Sequence, residues 1–219
     1  RGEGQLLLCG TRAMGQGIGD YQMTSPRMVF IKALLDEFER EFSVLDLGAG
    51  INNPTLGYEI AEAYPESIVI EVEQDWAKPE KMLPNQIVLK KHFMPKNLYD
   101  LDRCEHFDLV LAFNFLHWFG KSKDPVEDWM MAMVQVLGMG DQVLVQLPME
   151  GESSAPNIEL VPEMLGFVRS YGGVLIGATS QFPGHPARDI WLVRNPTKVL
   201  SQTWIGAEKG SANMAVSAD

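Results

Sequence analysis

The sequence predicts an α/β fold built on a doubly wound, mostly parallel sheet with helices on both faces. A strand, a glycine turn and a helix follow one another over residues 42–64, and a second strand that ends in acids follows at 67–73. The spacing of these two strands suits one strand–helix–strand crossover. A further apolar run at 109–113 is typical of a strand that is buried on both faces, as the strands of parallel sheets are.

The composition indicates how large a core the chain can form and which classes of partner its charge favours. With 219 residues, 46% of them hydrophobic, the chain has enough apolar side chains for one sizeable core. The formal net charge of −11 argues against a surface that gathers phosphate groups. We therefore do not expect a nucleic-acid partner.

The sequence lacks the usual signs of a membrane segment, of export and of a metal site. No run of about 18 apolar residues occurs, and no charged-then-apolar signal segment opens the chain. The two cysteines, Cys9 and Cys104, lack metal-ligand spacing and are too few for a disulfide framework. We expect a cytoplasmic protein without a metal. The first residue, Arg1, suggests a trimmed chain or a piece of a longer polypeptide.

Residues 1–20 are expected to form a flexible segment. Their glycine-rich stretch at 15–19 looks like a phosphate loop, but it lacks the Gly-Lys-Ser/Thr ending and no amphipathic helix opens directly after it. A nucleotide-binding role for this stretch is therefore disfavoured. Ser25 then suits a helix N-cap and Pro26 the first helical position, and the apolar spacing predicts a helix to about Phe42.

The rest of the chain is organised around the glycine turn at 48–50. Phe42 to Leu47 predict a short buried strand before it, and a helix is predicted after it from about Pro54 to Tyr64. Glycines let the backbone approach a ligand closely, and the N-terminus of the helix offers free N–H groups. The third glycine of a dinucleotide fingerprint would fall at Pro54, so a nicotinamide-dependent oxidoreductase is disfavoured.

Strands and helices alternate in the remaining sequence. The apolar patterns predict strands at 67–73, 86–89, 109–113, 142–147, 173–177 and 189–193, and helices at 124–137 and 158–171. The loop after the 142–147 strand carries Glu150 and Glu152, which either contact a substrate or remain solvated. Residues 205–219 are small and polar, and we expect them to form a disordered tail.

Two stretches together resemble the class I S-adenosylmethionine-dependent methyltransferases. Asp46, Gly48 and Gly50 match the acidic residue and the spaced glycines of that family's first motif, with Asn52 where a third glycine often stands. The second stretch, 107–119, resembles the Phe-Asp, apolar strand, Asn-x-Leu-His motif of enzymes that methylate small molecules, RNA caps or proteins. Two motifs in the right order, with an acid-ended strand between them, are more specific than either alone.

The resemblance implies residues that hold the cofactor, S-adenosyl-L-methionine. Asp46 and the turn Gly48-Ala49-Gly50 are assigned to its methionine end. A carboxylate at the end of the second strand is assigned to the ribose, because it offers paired acceptors to two hydroxyls. The strand register selects Glu73, with Glu71 and then Asp75 as alternatives. The family often has an acid against the adenine after the third strand, and its absence here leaves the adenine contacts open.

The resemblance also suggests candidates around the methyl acceptor. Asn114 and His117 follow the fourth strand, at the edge where ligands bind in doubly wound sheets, and are the candidate catalytic residues. Two roles are open for His117. It acts as a base, for which the usual histidine pKa of about 6.5 is suitable, or it only packs beside the cofactor. Two roles are also open for Tyr21 and Arg27. The resemblance implies that they contact the cofactor, as residues before the first strand do in many such enzymes. The alternative is that they only cap a helix or lie on the surface.

We therefore predict an S-adenosylmethionine-dependent methyltransferase domain at 21–204, of which the resemblance covers about 21–194. Its sheet is expected to have seven strands and an antiparallel C-terminal strand. The acceptor is expected to be an oxygen or nitrogen atom of a small molecule. An RNA or protein methyltransferase of the same fold, and a cofactor-binding module without catalysis, stay open as alternatives.

Overall fold

The structure is a computed structural model that describes residues 25–50, 55–74, 82–90, 106–113, 115–116, 125–149, 152, 158–180 and 186–196. Its strands are β1 (Ser43–Leu47), β2 (Ile68–Glu73), β3 (Gln86–Lys90), β4 (Phe107–Phe113), β5 (Gly140–Gln146), β6 (Val174–Thr179) and β7 (Arg188–Arg194). Its α-helices are α1 (Met28–Leu35), α2 (Leu56–Ala63), α3 (Pro125–Gly138) and α4 (Val161–Ser170). The predicted elements within the described ranges are all present, with ends that shift by a few residues except in α1.

The seven strands form one sheet in the order β3-β2-β1-β4-β5-β7-β6. Neighbours from β3 to β5 pair in parallel, and β7 is antiparallel to both β5 and β6. The predicted fold class is confirmed, including the antiparallel C-terminal strand. The strand order reverses between β1 and β4, and ligands of doubly wound sheets bind in the crevice at the carboxyl ends of such strands.

The hydrophobic core has two layers, one on each face of the sheet. One layer contains Val44 of β1 with Ile31 of α1 and Ile60 of α2. The other contains Leu45 of β1 with Trp129 of α3. Because successive side chains of a strand point to opposite faces, β1 contributes to both layers and must be apolar on both sides. The helices therefore cover both faces, as predicted.

The first helix is shorter than predicted. It ends at Leu35, seven residues before Phe42, although the apolar spacing continues. Phe38 packs against Phe42 with 5.3 Å between ring centroids, and Phe42 against Tyr64 at 5.2 Å. This aromatic cluster joins the chain before β1 to the end of α2, so a long-range contact outweighs the local helical pattern.

Two further features of the helices concern the start of α2 and the length of all four helices. The side chain of Thr55 caps α2 by accepting a hydrogen bond from the amide of Tyr58 over 3.1 Å. Among the described residues, no helix has the length and the apolar character needed to cross a bilayer.

Candidate active site

The glycine turn adopts a backbone conformation that favours glycine. Gly48 has φ +72° and Gly50 has φ +82°, both in the left-handed region. The amides of Gly48 and Ala49 donate to the carbonyl of Val72 over 2.9 and 3.3 Å, so the turn is fixed against the end of β2. Among the described residues, a Cβ at Gly50 would meet no atom within 4 Å.

Glu73 ends β2 directly beside this turn. Its Oε2 accepts a hydrogen bond from the amide of Gly50 over 2.9 Å, and its Oε1 accepts from the amide of Gln74 over 2.7 Å. The two predicted cofactor elements, the turn and the acid, are therefore in direct contact. Of the two alternatives to Glu73, Glu71 is buried inside the strand, and Asp75 lies outside the described residues.

Asp46 and Glu71 form a buried pair of acids beneath the turn. They are register partners on β1 and β2, so both side chains lie on the α1/α2 face of the sheet. Asp46 is 2% exposed and Glu71 1%. Within the described part of the chain, Oδ2 of Asp46 and Oε1 of Glu71 have no hydrogen-bond partner. Burial raises the pKa of Asp46 to about 8; the charges of Glu71 and Glu73 add to the rise, and the guanidinium of Arg27 opposes it.

Glu71 is stabilised in its charged form more than Asp46 is. Burial raises the pKa of Glu71, but the nearby polar groups of Thr55, Gln86 and the backbone of Gly57 oppose that rise. The bond from Nε2 of Gln86 reaches Oε2 of Glu71. A Cβ at Gly57 would lie 2.4 Å from Cγ and Cδ of Glu71, so only glycine lets α2 begin this close to the acid.

Arg27 lies over the carboxyl ends of β4 and β5. Its Nη2 donates to Oε1 of Gln146 over 2.7 Å, and its guanidinium carbon lies 4.9 Å from the ring centroid of Phe113. Burial lowers the pKa of Arg27 to about 10, while Asp46 raises it and Arg188 lowers it. Arg27 is thus a partly buried cation at the sheet edge, close enough to Asp46 for their charges to interact.

Gln146 connects Arg27 to the antiparallel part of the sheet. It is fully buried, and its Nε2 donates to the carbonyls of Thr179 and Arg188 over 3.1 Å each. Every functional group of this side chain is used. This role of Gln146 was not predicted, because a lone glutamine at a strand end gives no signal that would reveal it.

The structure corrects the interpretation of Glu152 as a solvated loop residue. Its carboxylate is buried and forms a two-point ion pair with Arg188, in which Nε donates to Oε2 over 2.9 Å and Nη2 to Oε1. It also accepts from the amide of Met149 over 3.1 Å. Glu152 is not a solvated loop residue, because Arg188, the first residue of β7, binds its carboxylate. Its contact with a substrate stays a prediction. Glu150 lies outside the described residues.

Three further predicted site residues, Tyr21, Asn114 and His117, also lie outside the described residues. They stay predictions. Two described neighbours in sequence, Phe113 and Phe115, are both buried. A Cβ at Gly48 would lie 3.1 Å from Cδ2 of Phe115, so the turn packs tightly against the residue that follows Asn114.

A groove of about 630 Å³ lies at the opposite edge of the sheet. It is lined by residues 35–36, 38–42 and 63–67, which precede the amino ends of β1 and β2. It is therefore distinct from the predicted site, which belongs to the carboxyl ends of the strands. Its floor contains the aromatic cluster described above.

The sheet order, the helices on both faces and the glycine turn beside an acid define the class I methyltransferase fold. Solved structures of that fold resemble the chain. A structure of WbdD with a kinase inhibitor has a TM-score of 0.54 and 14% identity, over 77% of this chain and 40% of that one. A second structure, described as the bifunctional kinase-methyltransferase WbdD, has a TM-score of 0.51 and 14% identity, over 77% and 37%.

These likenesses are distant and show the fold alone. The chain spans about two fifths of the length of the WbdD structures that it matches. Magnesium protoporphyrin IX methyltransferase from Synechocystis, solved with bound S-adenosylmethionine, has a TM-score of 0.48 and 14% identity, over 81% of this chain and 85% of that one. No family model and no curated protein matches the sequence.

Proposed function

We propose that the chain binds S-adenosyl-L-methionine and transfers its methyl group to an oxygen or nitrogen atom of a small molecule. The observation that carries this proposal is the hydrogen bond from the amide of Gly50 to Glu73, which places a carboxylate beside an open glycine turn. The fold supports it, because this pair lies at the carboxyl edge of the sheet, next to the point where the strand order reverses.

The residues present suit the proposed cofactor. No described residue fills the space above Gly50, which suits an amino-acid group lying against bare backbone. A carboxylate at the end of β2 suits a ribose, whose neighbouring hydroxyls both donate to it. The buried acids beneath the turn suit a ligand with positive charge. We assign Glu73 to the ribose and the turn at 48–50, with Asp46, to the methionine end.

The main task of the chain in the proposed reaction is to align the acceptor with the methyl group of the cofactor. When bound, the cofactor supplies a methyl group that is already electrophilic because it is attached to a sulfonium. The chain has to hold an acceptor in line with that carbon and exclude water. Asn114, Tyr21 and Arg27 are the residues we propose for orientation. We propose His117 as the group that takes the acceptor's proton.

Calorimetric titration with S-adenosylhomocysteine and with NAD tests the proposal. We expect S-adenosylhomocysteine to bind and NAD not to bind. Glu73→Gln keeps one acceptor oxygen for the turn but loses the paired acceptors, and the affinity should fall roughly tenfold, as expected for a lost hydrogen bond to a charged group. Glu66→Gln is the matched control, because Glu66 is an exposed acid before the amino end of the same strand. Binding of NAD alone would overturn the proposal.

Radiolabelled methyl transfer to pools of small hydroxyl and amine compounds, RNA and peptides then tests the acceptor class. We expect label in the small-molecule pool, since a chain with a net charge of −11 is poorly suited to RNA. Label in RNA or peptide would replace the acceptor and keep the methyltransferase. Cofactor binding with no label in any pool would indicate a binding module without catalysis.

A further inference from the structure

The buried pair of Asp46 and Glu71 has more negative charge than its surroundings can neutralise. The two acids face each other across neighbouring strands, and Glu73 lies one side chain further along the same face of β2. The only cation that acts on Asp46 among the described residues is Arg27, and its Nη2 is already bonded to Gln146. Two like charges in a dry site cannot both be ionised at low cost.

In the part of the chain that the structure describes, the other elements on this face add no further cation toward Asp46. The segment Leu109–Phe113 of β4, which pairs with β1, has no ionisable residue. Arg188 of β7 is held by Glu152. The charged residue of α2 nearest the chain before α1 is an acid, Glu59, and not a cation. Both of its carboxylate oxygens accept a hydrogen bond from the amide of Ser25, over 3.0 and 2.9 Å.

The two acids differ in how their charge is supported. Glu71 accepts a hydrogen bond from Nε2 of Gln86, which favours its ionised form. Oδ2 of Asp46 is buried and, among the described residues, has no donor. The proton therefore belongs on Asp46, two residues before the turn.

We propose that Asp46 carries a proton in the cofactor-free protein and releases it when the positively charged end of the cofactor binds over the turn at 48–50. This inference rests on the proposed function. A cation placed in a site of low dielectric attracts a nearby carboxylate strongly, so it makes the ionised form of Asp46 the stable one. The ammonium of the methionine end is the group of the required charge.

The consequence is a cofactor affinity that rises with pH. Below the pH at which Asp46 titrates in the free protein, each bound cofactor must expel a proton, so affinity increases by at most roughly tenfold per pH unit. The pKa of about 8 for Asp46 sets the upper end of this range. Above it Asp46 is already ionised, and the affinity should level off.

Calorimetry near pH 7 in two buffers of different ionisation enthalpy, such as PIPES and imidazole, counts the released protons. We expect S-adenosylhomocysteine to release roughly one proton per molecule bound. Methylthioadenosine, which keeps the nucleoside and lacks the ammonium, should release roughly none. Equal binding heats in the two buffers for S-adenosylhomocysteine would overturn the inference and leave the proposed function standing. Failure of S-adenosylhomocysteine to bind in either buffer would overturn both.

Variants assign the proton to its residue. Asp46→Asn should abolish the proton release, and Glu71→Gln should reduce it, because the charge of Glu71 is one reason that Asp46 holds a proton. The second variant keeps the test valid if the first one does not fold. Asp141→Asn, at an exposed acid near the amino end of β5, should release as many protons as the wild type. Undiminished release in both Asp46→Asn and Glu71→Gln would show that the proton comes from elsewhere.

Discussion

The amide of Gly50 donates a hydrogen bond to Oε2 of Glu73 over 2.9 Å, and this bond joins the turn after β1 to the end of β2. Gly50 makes this bond while its backbone is in the left-handed region, at φ +82°. A glycine turn and an acid that lie 23 positions apart in the sequence therefore form one structural unit. This unit is the basis of the proposed cofactor site.

Alanine substitutions in the turn should destabilise the fold to different extents. Gly50→Ala should cost about 1–2 kcal/mol of unfolding free energy, because only the left-handed backbone is strained. Gly48→Ala should cost more, since its Cβ would also lie 3.1 Å from the ring of Phe115. Urea unfolding measures the loss of unfolding free energy in both variants, provided that the dependence of that free energy on urea concentration is the same as in the wild type. An equal or smaller loss for Gly48→Ala would contradict the packing described for the turn.

Gly57→Ala should destabilise the protein even though alanine favours helices. Its Cβ would lie 2.4 Å from Glu71, so α2 or the buried acid has to move, at a cost of about 1–3 kcal/mol. Gly166→Ala in α4 is the control, because its Cβ meets nothing within 4 Å. That variant should gain about 0.5–1 kcal/mol from helix propensity. If Gly57→Ala also gains stability, α2 does not rest on Glu71.

Asp46→Asn should change how stability depends on pH. The pKa of Asp46 is raised from 3.8 to about 8 in the folded protein, so the folded state binds more protons than the unfolded state across that range. Wild-type stability should therefore decline as pH rises from about 4 to about 8, relative to the variant, by at most about 1.4 kcal/mol per pH unit. Unfolding midpoints measured over this range test the sign. A difference that is independent of pH would show that Asp46 titrates normally.

Gln146→Leu should cost about 2–3 kcal/mol, because it removes an acceptor from the partly buried cation Arg27 and a donor from two carbonyls. Gln142→Leu is the matched control on the same strand and face. Oε1 of Gln142 is buried and has no partner within the described residues, so its removal should cost little. Similar losses for both variants in chemical unfolding would mean that the link from Arg27 to β7 contributes nothing.

The sequence was sufficient for features that depend on local pattern. The apolar runs of β1 and β4 and the glycines at 48 and 50 predict buried strands and a tight turn because each signal lies within a few residues. The predicted end of α1 was wrong by seven residues. The contact of Phe42 with Tyr64 in the segment after the helix is long-range, so no local pattern encodes it.

The buried acids show the same limit at the site. Glu73 was predicted from its place at a strand end, whereas the burial of Glu71 depends on how closely α2 crosses the sheet. The single glycine inside the predicted helix, Gly57, was the available signal for that close approach. The position of the Glu152 carboxylate depends on its ion pair with Arg188, which lies 36 residues later in the sequence. No local pattern encodes that ion pair.

A crystal structure with S-adenosylhomocysteine tests the central claim most directly. We predict that both ribose hydroxyls lie about 3 Å or less from the carboxylate of Glu73. We also predict that the amino-acid end lies over the turn at 48–50. A nucleoside bound elsewhere, for example in the groove formed by residues 35–42 and 63–67, or a Glu73 carboxylate that makes no contact with the ribose, would contradict the account.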